Sequence, residues 1–262
     1  TRWLSDWSSD VCSSDLCYRL ASEAADSGDT ILITTPDDRI LPVCAEIAGR
    51  TSLHGKKVFH MSGAGGLDLL LPAAKAGATI ASIHPLQSFS SIEGAIASIP
   101  GSYFGVTAGA GSKRISAAIV RDLQGIALII SPDQKPLYHA AACIASNYLV
   151  SLMSIVEDIY LSIGLSEKNA HKAYLPLAYG SLKNIEIQGC ADALTGPIAR
   201  GDAGTVQKHI DAISKRLPLH YPLYRELGRI TVKLAQQKGT LNRSQAKTIL
   251  ALLKGVHHEH AK

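Results

Sequence analysis

One stretch, residues 58–89, restricts the fold more than any other. It reads VFHMSGAGGLDLLLPAAKAGATIASIHPLQSF. A short apolar run, Lys57 to Met61, meets Ser62-Gly63-Ala64-Gly65-Gly66. An amphipathic helical segment follows from Leu67 to Lys75, Gly77 stops it, and a second apolar run, Ala78 to Ile83, ends in His84-Pro85-Leu86-Gln87. Strand, turn, helix, turn, strand is the unit of an open α/β sheet. Parallel strands in such a sheet turn their carboxyl ends to the ligand crevice. His60, Ser62 and His84 are therefore expected along one rim.

The neighbouring stretches extend the pattern. Tyr18 to Ser27 reads as a short helix. Thr30 to Thr35 reads as a strand closed by Pro36-Asp37-Asp38, where Asp37 or Asp38 can cap the helix Arg39 to Ala48. Ser90 to Ser98 predicts a short helix, Tyr103 to Thr107 a strand, Ser112 to Leu123 a helix and Ile126 to Ser131 a last strand. Such alternation predicts a parallel sheet with right-handed crossovers. After Pro132 no strand pattern recurs. Helical patterns cover Leu137 to Ile163, Glu167 to Ile187, Ala203 to Leu217, Tyr221 to Gln237 and Ser244 to Leu253, broken by Gly, Pro and Asn. The expected order is an α/β half, 17–131, an all-helical half, 132–255, and a polar tail, 256–262.

The 262 residues, 46% apolar and 18% charged, are enough for one large or two modest domains. No uninterrupted apolar run reaches the roughly 18 residues of a membrane span, so no membrane partner is expected. A net charge of +4 with scattered basic residues gives no reason to expect nucleic acid. The 5 cysteines have neither metal-like nor disulfide-like spacing, so no metal site and a cytoplasmic setting are expected. Residues 1–16 stand apart. DWSSDVCSSDL (6–16) resembles a translated sequencing-adapter oligonucleotide and is set aside as one sets aside a tag.

The motifs leave alternatives. Gly63-Ala64-Gly65-Gly66 suggests a dinucleotide fingerprint, but Asp68 stands where the third glycine belongs. Close passage of backbone to substrate or cofactor explains these glycines better. Residues 105–113 (GVTAGAGSK) lack the spacing of a phosphate loop. His60 and His84 can be structural histidines satisfied by backbone, or site residues with Ser62 and Gln87 nearby. His139, Cys143 and Asn147 recur every four residues and share a helix face. Asn147 is either a buried hydrogen bond between helices or a substrate contact. In ALTGPIARGD (193–202), Thr195 precedes a Gly-Pro turn, and Asp202 reads as the N-cap of the next helix.

LITTPDD (32–38), HMSGAGGL (60–67), SIHPLQSF (82–89), YHAAACIASNYLV (138–150) and ALTGPIARGD (193–202) together resemble the Rossmann-like proteins that carry a C-terminal domain of unknown function 2520. The resemblance runs from Cys17 to Leu253. It implies a fold shared with ketopantoate, pyrroline-carboxylate and β-hydroxyacid reductases, here with the first βα units missing, and a homodimer formed through the helical half. It implies oxidoreductase activity with NADP or NAD, the cofactor lying against Thr35, Pro36, Asp37 and Gly63. Such a loss of strands would leave an apolar face near Ile31, Ile33 and Val58 uncovered. The Lys-x-x-x-Asn helix of ketopantoate reductases departs here, since Cys143 precedes Asn147. His84 and His139 are then the expected proton donors, with Asn147, and His60, Ser62, Gln87 and Thr195 the expected holders of a small substrate. A non-catalytic ligand-binding or regulatory protein on the same fold is the alternative.

Overall fold

A computed structural model of the chain describes residues 17–109 and 111–254. The adapter-like segment 1–16 and the tail 256–262 lie outside them. The chain divides into two compact units, one up to Tyr148 and one from Leu149. Residues 135–148, placed with the helical half by their helical pattern, thus group with the sheet.

The first unit is built on a five-stranded sheet in the order β1-β2-β3-β4-β5. Its strands are β1 (Thr30–Ile33), β2 (Lys57–His60), β3 (Thr79–Pro85), β4 (Tyr103–Ala108) and β5 (Ile126–Ile129). All five stand where the sequence predicts them. The helices α1 (Ala21–Asp26), α2 (Asp37–Arg50), α3 (Leu71–Lys75), α4 (Ile92–Ser98) and α5 (Lys113–Asp122) separate them, with a 3-10 turn at Leu67–Leu70 leading into α3. One expectation fails. β1, β2 and β3 are parallel, and β4 is parallel to β5, but β4 runs antiparallel to β3. The reason lies in α4, which has seven residues and buries none of them. It cannot pack across the sheet as a crossover helix must. The chain instead turns back at the same edge, where Leu86 N–H donates to the Tyr103 carbonyl at 2.8 Å. Neither Asp37 nor Asp38 caps α2, because Pro36 occupies the N-cap position.

Strand alternation sorts the residues onto two faces. Phe59, Ala81, Ile83, Phe104 and Val106 share one face and form a buried cluster with Val120 of α5. On the other face Ile33 and Val58 are buried against Ile40, Cys44 and Ile47 of α2 and Ala25 of α1. The face expected to be uncovered is thus covered by these two helices. Further toward the strand ends, this same face turns polar. Ile33, His60, Ser82 and Thr107 lie side by side across four strands, and His84 pairs with Gly105 one step on.

After β5 the chain enters α6 (Lys135–Cys143), a five-residue π-helical segment (Ile144–Tyr148) and α7 (Leu149–Ser162). By length and mean hydropathy, 1.5 over its best window, the continuous helix Lys135–Ser162 could cross a membrane. The sequence expectation, which counted apolar runs, did not single out this helix. The second unit continues with α8 (Glu167–Ala193), α9 (Ala203–Arg216), a 3-10 turn at Pro218–His220, α10 (Tyr221–Lys238) and α11 (Arg243–Lys254). Val206, Ile210, Val232, Ala235, Ile249 and Leu253 form its core. Gly228 lets α10 approach α11, since a Cβ there would lie 2.8 Å from the Leu253 side chain. Asp202 caps α9 as the sequence predicts, accepting from Thr205 N–H at 2.9 Å.

Candidate functional site

The polar end of the sheet face is roofed by α6. The reversal at β4 makes this possible. β5 follows β4 and carries the chain away from the carboxyl ends of β1, β2 and β3, so α6 starts low on the face and climbs along β3. Its first residue, Lys135, is 1% exposed and donates from Nζ to Ser82 Oγ at 2.7 Å. One turn on, the Tyr138 hydroxyl meets His84 Nδ1 at 3.0 Å. The Tyr138 ring lies on Gly105, where a Cβ would come within 2.6 Å of it. The next residue, His139, stands edge-on to His84 with ring centroids 5.9 Å apart.

Gly63 closes the group. A Cβ at Gly63 would collide with the His139 ring and lie 2.8 Å from His84 Nε2. Bare backbone is therefore what both imidazoles face, and here close approach rather than a left-handed turn requires glycine. Ser62 is held from two sides, donating from Oγ to the Asp37 carboxylate at 2.7 Å and accepting from Gly65 N–H at 2.7 Å. Ser82 Oγ donates to the Ser62 carbonyl at 3.2 Å. The chain of contacts from Lys135 through Ser82 and Ser62 to Asp37 thus spans β3, β2 and the start of α2.

The two strand histidines part company here. His60 is fully buried, and both ring nitrogens are engaged by backbone. Nδ1 accepts from Ser62 N–H at 3.1 Å, so Nε2 carries the proton and donates to the Gly66 carbonyl at 3.0 Å. Burial lowers its pKa and keeps it neutral. It shapes the loop 61–66 and has no edge left for a substrate, which corrects its expected role. His84 Nε2 lies close against the backbone of Gly63. Burial first, then the Lys135 charge and His139, push it down to about 4, against the opposing pull of Asp37. At neutral pH it is therefore uncharged, which does not suit the proton donor expected of it. Burial likewise brings Lys135 down to about 8.

The remaining expected residues are spread out. Pro36 and Asp37 begin α2, and the Thr35 hydroxyl is buried with no hydrogen-bond partner. Gln87 donates from Nε2 to Ser102 Oγ at 3.2 Å and accepts from Ser88 N–H, so both ends of its amide serve the turn into β4. Cys143 Sγ lies 3.8 Å from His139 Nδ1. Asn147 is exposed within the π-helical segment, whose wider turn offsets the drift expected of a uniform α-helix. Thr195 is exposed in the second unit, beside an open cleft with Arg200 and Lys238. Lys135 and Tyr138 were not expected. For Lys135 a signal existed: a lysine in the first turn of a helix with no acidic residue there opposes the helix dipole. A residue so placed is held by something outside its helix.

The comparisons with known proteins bear on the fold and the family. A Rossmann-like domain family matches residues 14–85, and the Domain of unknown function (DUF2520) matches residues 102–231. Protein TM1727 from Thermotoga maritima has a similar structure, with a TM-score of 0.67 and 28% identity over 79% of this chain and 78% of that one. The pyrroline carboxylate reductase of Plasmodium falciparum, solved with NADP bound, superposes with a TM-score of 0.55 at 14% identity, over 90% of this chain and 81% of that one. The imine reductase of Myxococcus stipitatus, solved with NADP+, gives 0.54 at 12% identity, over 91% and 84%. These two likenesses establish the fold. No curated protein matches the chain in sequence.

Proposed function

This chain belongs to the Rossmann-like proteins that carry the domain of unknown function 2520, and from its site we propose that it is an oxidoreductase using NADP or NAD to reduce a small carbonyl or imine compound. The observation that carries the reading is the meeting of His84, His139 and Tyr138 over the bare backbone of Gly63 at the carboxyl ends of parallel strands. That is where this class of sheet binds its ligands. One feature fits a bound cofactor: the Thr35 hydroxyl, beyond the end of β1, is buried with no hydrogen-bond partner. Thr35, Pro36, Asp37 and Gly63 would hold the nicotinamide cofactor, which supplies hydride when bound.

The rest is work for the chain's own residues. His84 is uncharged and offers a hydrogen bond from its ring. His139 is left as the residue that delivers a proton to the reduced atom. Ser62 is fixed by Asp37 and Gly65, which orients its hydroxyl, and Asn147 is a further contact in this reading. The protein works in the cytoplasm as a homodimer. Exposed apolar residues on α8, with Leu177 68%, Tyr179 66% and Ile187 71% exposed, support a second copy as their cover. The test is loss of the 340 nm absorbance of reduced nicotinamide with a panel of small aldehydes, ketones, oxo acids and cyclic imines. Oxidation with at least one compound, reduced at least about tenfold in His139→Gln, is expected. Tight ligand binding without hydride transfer to any of them would leave a non-catalytic binding protein.

A further inference from the structure

The hairpin of α7 and α8 brings together three side chains that the roles above do not use. α8 opens at Glu167 and carries His171 four residues on, so the two share a helix face. Glu157 meets them from α7, with its Oε2 3.1 Å from His171 Nε2. One oxygen of each carboxylate and one nitrogen of the imidazole all lie within 4.8 Å of one another. All three residues belong to the second unit.

We propose that Glu157, Glu167 and His171 form a divalent-metal site suited to zinc, which clips α7 to α8. It stands apart from the reductase reading and uses none of the cysteines, so cysteine spacing could not reveal it.

The donor set fits such an ion. Imidazole nitrogen and carboxylate oxygen bind zinc at about 2.0–2.2 Å, and three of them in a tetrahedron stand about 3.4 Å apart. Small rotations close the present spacing to that value. Three protein ligands leave one position for water, and the site is open enough to admit it, with the His171 side chain 41% and that of Glu157 24% exposed. The charges also call for a cation. Among the described residues neither carboxylate is paired with a lysine or arginine, and that of Glu167 has no hydrogen-bond partner.

Tyr174 adds an independent observation. It is 6% exposed, its ring stands edge-on to His171 at 5.6 Å, and its hydroxyl has no hydrogen-bond partner among the described residues. Burial first, then the charges of Glu157 and Glu167, raise its pKa, which places the hydroxyl beside both carboxylates. A filled site gives it a partner in the bound water or a ligand oxygen. The clip also has something to hold. α7 buries no residue and α8 buries only Ala170 and Tyr174. Apolar packing therefore secures this hairpin weakly, and an ion that binds only the folded arrangement stabilises it.

The test frees the full chain of metal with a chelator and titrates it with zinc by calorimetry. The tail histidines His257, His258 and His260 can take zinc as well, so the readout is the difference between proteins that share that tail. The parent protein should bind one equivalent more than Glu157→Gln or His171→Gln. Zinc at about a hundredfold excess over its Kd should raise the thermal midpoint of the parent by at least about 3 °C more than that of either variant. Cobalt(II) in place of zinc should give the visible absorption of a tetrahedral site in the parent, and His171→Gln should lose it. Equal stoichiometry in parent and variants, or a cobalt spectrum that survives in His171→Gln, overturns the proposal and leaves His171 and Glu157 as an ion pair alone. If either variant does not fold, Glu167→Gln, at the exposed start of α8, must lose the equivalent; its retention overturns the proposal equally.

Discussion

The two faces of the sheet are cut from the same strands and behave as opposites. On one, Phe59, Ala81, Ile83, Phe104 and Val106 pack without interruption under Val120. On the other, Ile33 and Val58 give way within one strand pair to His60, Ser82, Thr107 and His84. A residue in β3 therefore contributes to stability or to chemistry according to whether its number is odd or even. The polar face is tolerable only because its groups are satisfied by one another. His60 is closed by Ser62 N–H and the Gly66 carbonyl, Ser82 by Lys135 and the Ser62 carbonyl. The exceptions stand out: Thr107 Oγ1 and Thr35 Oγ1 are buried without partners.

This contrast can be broken by experiment. The largest effect should come from the apolar face. Phe59→Ala should lower stability by about 3–5 kcal/mol in urea denaturation; a loss below about 1 kcal/mol would mean that this face is not the core. Gly63→Ala, on the polar side, should cost no more than about 1–3 kcal/mol. It should weaken nicotinamide binding or turnover at least about tenfold, because the methyl drives His84 and His139 apart.

Between about pH 6.5 and 4, acid should act through the polar face. His84 and His60 have folded pKa values below the ordinary 6.5. The unfolded chain therefore takes up protons first. Full stability holds above about 6.5 and declines as pH falls from there toward about 4, by at most about 1.4 kcal/mol per pH unit for each histidine. Denaturation at several pH values should show the decline, and His84→Gln should flatten it. An equally steep decline in that variant would show that the histidine is not its source. The smallest effect belongs to Lys135. Lys135→Met should change stability at pH 7 by about 1 kcal/mol or less, or raise it, since a costly buried charge is removed. The parent protein should gain stability between about 8 and 10.5, where only the unfolded chain still holds the lysine proton. The variant should not.

The strands and helices were legible because their periods are strong and their breaks carry Gly and Pro. The direction of β4 was not. A seven-residue helix on paper looks like a crossover, and only its lack of buried residues shows that it is not one. His60 and His84 read alike, each at the end of an apolar run. What separates them is the loop 61–66 folding back to close both nitrogens of the first, a contact that no spacing predicts. His139 was legible from its helix, and Gly63 from its run of glycines. Tyr138 was hidden because its place depends on Gly105, a residue in another strand. Lys135 could have been found from its opposition to the helix dipole, but its partner, Ser82, could not.

The reversed strand pair also governs when the site can come into being. Lys135 and Ser82 are 53 residues apart in the chain, and His84 and Tyr138 are 54 apart. Closing such loops costs entropy that only later contacts return. β1 to β3 can pair as soon as they are made, and their apolar half can collapse on α1 and α2. The polar half must wait in water until β4 has turned back, β5 has joined it and α6 has climbed the face. During synthesis the protein should therefore pass through a stage that is folded and still has no site. A chain halted before residue 135 would remain at that stage.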